Sequence, residues 1–111
     1  MNKALKDFTR QAKGEVREIS PEAAYKAAEV DSMILDVREA GELAKEGRVP
    51  GACHVPRGSL EPKADPDAAP DQRLTGARRE GRRVLTLCAS GTRALLAAHT
   101  LRQMGYDAAV I

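Results

Sequence analysis

The chain has 111 residues, 42% of them apolar and 31% charged, with a formal net charge of +2. Those proportions suit one compact domain with a modest core and exclude a second domain, a disordered tail or a low-complexity chain. Aromatic residues make up only 3%, so aliphatic side chains must fill the core and a nucleic-acid surface built on stacked rings is not expected.

Near the start, Leu5, Phe8 and Ala12 fall close to one helical face with Lys3, Lys6, Arg10 and Lys13 elsewhere, which predicts a short amphipathic helix ending at Gly14. Residues 1–15 thus read as a helical extension packed on a domain of residues 16–111. The opening MNKALKDFTRQAK has no apolar secretory segment, and nothing approaches the roughly 18 consecutive apolar residues of a membrane span. A cytoplasmic protein without membrane contact is expected.

Val16 to Ile19 reads as a short strand, and Ser20-Pro21-Glu22 supplies an N-cap and a first-turn proline before a helix over Ala23 to Glu29. Ser32 to Val37 is an apolar run too short for a separate helix, as expected of a buried parallel strand. Glu39 to Glu46 forms a short helix closed by Gly47, and Pro50-Gly51 turns the chain into a brief strand, Ala52 to Val55. From Pro56 to Gln72, with Pro62, Pro66 and Pro70, a surface loop with at most a helical turn is expected. Thr75 to Glu80 is helical before Gly81, Arg82 to Leu87 is a strand, and Thr92 to Met104 is a helix stopped by Gly105. Strands alternating with helices predict an α/β fold with a mainly parallel sheet flanked by helices, and ligands collect at the carboxyl ends of such strands.

Cys88 directly follows the strand ending at Leu87. In Cys88-Ala89-Ser90-Gly91-Thr92-Arg93 the chain turns into a helix, so successive backbone N–H groups can converge above the sulfur as an anion cradle. Gly91 permits conformations closed to other residues, and the helix N-terminus contributes partial positive charge. Both features, and the Arg93 cation, favour thiolate, the nucleophilic form of cysteine. Taken singly, a cysteine at a strand end reads as a small buried hydrophobe. The conjunction of strand, cysteine, small residues, glycine, arginine and helix makes it a reactive site.

With that loop, the order Ile19-Ser20-Pro21-Glu22, Leu35-Asp36-Val37-Arg38-Glu39, Val49-Pro50-Gly51-Ala52 and Cys88 to Arg93 resembles the rhodanese-like sulfurtransferases, from about Val16 to Ile111. The resemblance implies a three-layer α/β fold in which Cys88 takes a sulfane sulfur from an anionic donor such as thiosulfate, becomes a persulfide, and passes the sulfur to cyanide, a thiol or a protein acceptor. No metal or organic cofactor is implied. Ala89, Ser90, Gly91 and Thr92 would contribute mostly backbone N–H groups, and Arg93 would help hold the donor. Asp36 and Arg38 match the family's Asp-Val-Arg segment and read as supports of the sheet's active end through charge-assisted hydrogen bonds. Two features depart from the family pattern. Arg48 stands where a histidine is common, and the chain stops after a strand over Ala108 to Ile111 without the usual closing helix. One sheet face is then expected to be undercovered unless the N-terminal helix compensates, with self-association as one outcome.

Other readings follow from the same residues. A cysteine phosphatase also sets a thiolate and an arginine around an anion cradle, but with five intervening residues where this chain has four, and sequence places no general acid. A catalytically silent member binding a partner is the different-class alternative. Cys53 could resolve a Cys88 persulfide or simply be buried on its strand. Cys53, His54, Cys88 and His99 lack zinc spacing, and His99 reads as structural. Arg73, Arg78, Arg79, Arg82 and Arg83, interrupted by Asp71 and Glu80, read as a solvated face rather than a nucleic-acid site. Arg57 is a candidate for the active-site mouth.

Overall fold

The computed structural model describes residues 2–68 and 72–111; Pro70 of the expected loop and Asp71 of the basic stretch lie outside them. The elements alternate as expected of an α/β domain. Helices α1 (Leu5–Glu15) and α2 (Pro21–Ala28) precede strand β1 (Ser32–Asp36), and α3 (Ala40–Glu46) leads to β2 (Cys53–His54). After a 3-10 turn (Arg57–Ser59) come α4 (Leu60–Ala64), α5 (Arg73–Glu80), β3 (Arg83–Leu87), α6 (Thr92–Gln103) and β4 (Ala108–Val110). All strand pairs are parallel, in the order β2-β1-β3-β4. β1 and β3 therefore run side by side through the middle, both ending on the same rim.

Alternation along the strands sends neighbouring residues to opposite faces. Met33, Leu35, Val84, Ala108 and Val110 enter the larger core with α4, α5 and α6, while Leu85 and Ala109 join Ala24 of α2 in a smaller one. Ala94, Ala97 and Ala98 let α6 lie close to the sheet, with Leu101 filling the space beyond. The Ser20 hydroxyl accepts the Ala23 N–H at 3.2 Å, so α2 starts as its sequence predicts.

Several local expectations are corrected. Gly14 does not stop α1, which runs on to Glu15 and buries only Ala12, leaving Leu5 and Phe8 exposed. Its main neighbour is α6, to which Glu15 is tied by a hydrogen bond with His99. The expected strand over Val16–Ile19 contracts to one parallel bridge, Glu18 with Val110, because the chain must turn into α2 at Ser20 and Pro21 has no N–H to extend a ladder. That bridge nevertheless covers the outer edge of β4. The expected loop after Pro56 is helical from Arg57 to Ala64. Leu60 and Ala64, four residues apart, both reach the core, and Pro62 sits in the first turn where its missing N–H costs nothing. The Tyr106 hydroxyl donates to the Ala64 carbonyl at 2.7 Å, and burial pushes its pKa up, which keeps it a donor.

The arginines of the basic stretch are clamps as well as solvated charges. Arg73 donates to the Gly51 carbonyl at 2.7 Å, Arg78 to the Met104 carbonyl at 3.0 Å and Arg82 to the Ser32 carbonyl at 2.9 Å. Each closes an element end that sequence proximity does not connect. Among the described residues no helix is long and apolar enough to cross a membrane.

Because Leu60 is wholly buried, Leu60→Ala should destabilise the fold by about 2–5 kcal/mol. Denaturant unfolding checks this, and a loss near zero would return the segment to the status of a surface loop.

Candidate active site

Cys88 sits one residue beyond β3, where the chain leaves the sheet rim and turns into α6. The turn is only four residues long, and Gly91 completes it with φ of +89°, in the left-handed region that residues with a Cβ avoid. The result aims peptide groups at the sulfur. The Gly91 N–H lies 3.1 Å and the Ala94 N–H 3.2 Å from Cys88 Sγ. Both belong to the head of α6, whose first amides have no partner within the helix. Among the described residues, the amides of Ser90, Thr92 and Arg93 donate to no protein acceptor. Ala94 is the cradle residue that sequence reasoning passed over. Counting amides from the N-cap Gly91 would have found it, as the third residue of the helix.

Thr86 was also missed. Its buried hydroxyl bonds the Ala94 carbonyl at 2.7 Å, so β3 holds the first turn of α6 by the same peptide segment that reaches the sulfur. A threonine in a strand carries no sequence signal for this, since it arises only when the helix folds back over the sheet.

The sulfur is half-buried and borders an open cavity of about 270 Å³ lined by Tyr25, Arg38, Glu46, Arg48, Val49 and Ala89, among others. A larger cavity of about 540 Å³ lies behind the loop, against Ser90, Gly91, Thr92 and residues of α1 and β4, and does not include Cys88. Of these two cavities the smaller is the one that Cys88 lines.

Asp36 ends β1 beside the cradle and is buried. It accepts the Arg38 backbone N–H at 3.1 Å and the Arg38 guanidinium at 2.8–3.2 Å. Burial pushes the Asp36 carboxyl up, but the Arg38 hydrogen bonds and charge outweigh it and leave the group below its ordinary value. The bond to Asp36 likewise raises Arg38. Arg38 reaches on to the Gly47 carbonyl at 3.1 Å, and its own carbonyl accepts from His54 Nε2 at 2.7 Å, so this pair ties β1, β2 and the end of α3 together. The Val37 N–H donates to the Leu87 carbonyl at 2.9 Å and fixes the β3 end next to them.

Two expected placements are corrected. The Arg93 guanidinium grips Glu42 of α3 with two parallel bonds of 2.6 and 2.9 Å, so its fork is taken up in a link from α6 to α3 and makes no hydrogen bond to the sulfur, although Cys88 is near enough to interact with its charge. The Arg93 bond holds the Glu42 carboxyl down at about 2, with the Glu39 backbone N–H adding to it, and Arg93 is raised in turn. Arg57 is not at the mouth either. It bonds Glu61 at 2.8 Å and Thr100 at 3.2 Å, on the side of α6 that faces α1. A long side chain reaches the nearest acceptor, and for both arginines that is a helix neighbour. Cys53 is half-buried on β2, with β1 lying between it and β3, the strand that Cys88 follows, and burial pushes its thiol up. Among the described residues no group of three or more His, Cys, Asp or Glu could hold a metal ion.

A parallel α/β domain carrying a cysteine in an amide cradle at the head of a helix is the class these features define. Residues 20–111 match the family model of the rhodanese-like domain, and the chain belongs to that family. It is 32% identical over 93 residues to the Bacillus subtilis (strain 168) protein named "Putative sulfur carrier protein YrkF", a match covering 82% of this chain and 44% of that protein's length. Among solved structures, the human single-domain sulfurtransferase TSTD1 is 26% identical, with a TM-score of 0.62 over 86% of this chain and 88% of that one. A Rhodopseudomonas palustris CGA009 protein, described as of unknown function and a possible tyrosine phosphatase, is 26% identical with a TM-score of 0.85 over 99% of this chain and 85% of that one.

Two outcomes follow. Glu42 has a lowered pKa in the folded protein, so its stabilising contribution is present above about 4.5 and fades as pH falls toward about 2. The melting-temperature gap between the wild type and Glu42→Gln should therefore be widest near neutrality and shrink across that window. Thr86→Val, nearly isosteric, should cost roughly 1–3 kcal/mol by stranding a buried bond, and a thermal melt without loss would show that the hydroxyl does not hold α6.

Proposed function

We propose that this protein is a rhodanese-type sulfurtransferase in which Cys88 takes a sulfane sulfur from an anionic donor such as thiosulfate and hands it to a thiophilic acceptor: cyanide, a thiol or a protein. The observation that carries this reading is that Cys88 Sγ receives two backbone N–H groups while bordering an open cavity. Residues 16–111 form the transferring unit, with 1–15 an extension lying on α6.

The cysteine thiolate attacks the outer sulfur of thiosulfate, forming an S–S bond as the donor's own S–S bond breaks and its electron pair leaves on sulfite. Three negative charges enter and three leave, so the step balances without a metal or organic cofactor. The persulfide bears its charge on the new terminal sulfur, and the acceptor's lone pair attacks that atom, returning the electron pair to Cys88 as thiolate. Fixed amide dipoles stabilise charge that moves by one atom and need no reorganisation to do so. The open amides of Ser90, Thr92 and Arg93 suit the persulfide's extra length. Asp36, Arg38 and the Arg93–Glu42 pair position the loop and do not touch sulfur.

Phosphate-ester hydrolysis is the second reading, supported by the likeness to the Rhodopseudomonas palustris protein. Against it, the four residues between Cys88 and Arg93 make a narrow cradle, and the Arg93 fork that would clamp a phosphate is held by Glu42.

Intact mass after incubation with thiosulfate should show one added sulfur, removed by cyanide or dithiothreitol and absent in Cys88→Ala. An aryl phosphate assayed in parallel should be hydrolysed no faster than by Cys88→Ala. Absence of loading with Cys88-dependent phosphate release would establish the phosphatase instead, and absence of both would leave a partner-binding module.

A further inference from the structure

We propose that Arg48 is the specificity-determining residue that reads the charge of the sulfur donor; this rests on the sulfur-transfer reading above. A dianion meeting a thiolate brings three negative charges into one cavity, and amide dipoles alone carry only partial charges. A free cation at the mouth is therefore worth more to such a donor than to an uncharged one. Every other arginine considered for this part is already matched. Arg38 is bound to Asp36 at 2.8 Å and lies 3.7 Å from Glu46, Arg93 is bound to Glu42, and Arg57 is bound to Glu61. Arg48 lines the same cavity as Cys88, is exposed, and among the described residues has no carboxylate partner.

Its backbone is held although its side chain is free. Gly47 ends α3 with φ of +90°, its N–H on the Leu43 carbonyl and its own carbonyl on Arg38. On the other side the Val49 carbonyl accepts the Ala52 N–H at 3.1 Å. A cation mounted between two fixed residues at a cavity mouth loses little backbone freedom when it closes on an anion. Glu46 lines the same cavity and would repel anions, but it lies 3.7 Å from Arg38, so these two charges offset each other and neither is free for a donor. Arginine also offers a planar fork that fits two oxygens of a sulfonate-like group.

The test compares wild type, Arg48→Gln and Arg48→Lys on two donors, thiosulfate as dianion and methanethiosulfonate as monoanion, each leaving the same Cys88 persulfide. Arg48→Gln should lower kcat/KM for thiosulfate about tenfold, as loss of one charge-assisted contact to a ligand implies, and lower it less for methanethiosulfonate. Arg48→Lys, which keeps the charge and loses the fork, should recover part of the loss, and the melting temperature should not change. Equal losses for both donors, or none, would overturn the proposal. Calorimetric titration of thiosulfate into Cys88→Ala, with and without Arg48→Gln, separates the two readings. Weakened binding there supports the anion site even if the wild type never loads sulfur, whereas binding indifferent to Arg48 overturns it.

Discussion

Two peptide N–H groups directed at one sulfur atom are the constraint around which this rim of the molecule is arranged. They can point there only if the strand that ends just before Cys88 and the helix carrying Ala94 are joined by a very short turn and held at a fixed angle. Gly91 supplies the turn, and Thr86 supplies the hold by bonding the Ala94 carbonyl from within the sheet. A donor in the strand thus fixes the residue whose own N–H reaches the sulfur. Little remains adjustable in the cradle, as preorganised electrostatics require.

The charges around the cradle are mostly spent on architecture. Asp36 and Arg38 are buried together at the end of β1, where an unpaired partner would be costly, and Arg38 uses its remaining capacity on the Gly47 carbonyl. Glu42 and Arg93 connect α3 and α6 through a bidentate pair. Arg38, Arg57 and Arg93, which look available for an anionic ligand in a linear reading, are thus committed, whereas Arg48, on the turn after α3, has no carboxylate partner among the described residues. Structural and ligand-directed arginines are told apart by their carboxylates, not by their distance in sequence from the cysteine.

Family membership and chemistry stand on different supports. The family follows from the match over residues 20–111, while the relatives include both a sulfurtransferase and a protein described as a possible phosphatase. A thiolate in an amide cradle serves either reaction in principle. The size of the loop and the engagement of its closing arginine separate them, which is why the Glu42–Arg93 pair bears on function although it touches no substrate in the proposed reaction.

Sequence alone determined those features that depend on neighbours along the chain. The helix start at Ser20-Pro21, the apolar strands around Met33 and Val84, the stop at Gly105 and the cysteine loop are all local, because capping, periodicity and glycine conformations act within a few residues. Where the helix after Pro56 ran, whether residues 16–19 paired as a strand, and which acceptors Arg57 and Arg93 would find were decided by folding. Leu60 is core only because α4 meets the sheet, and Glu42 meets Arg93 only because α3 and α6 converge on the same rim, 51 residues apart in the chain. A long charged side chain takes the best partner within its reach, and reach is defined in space.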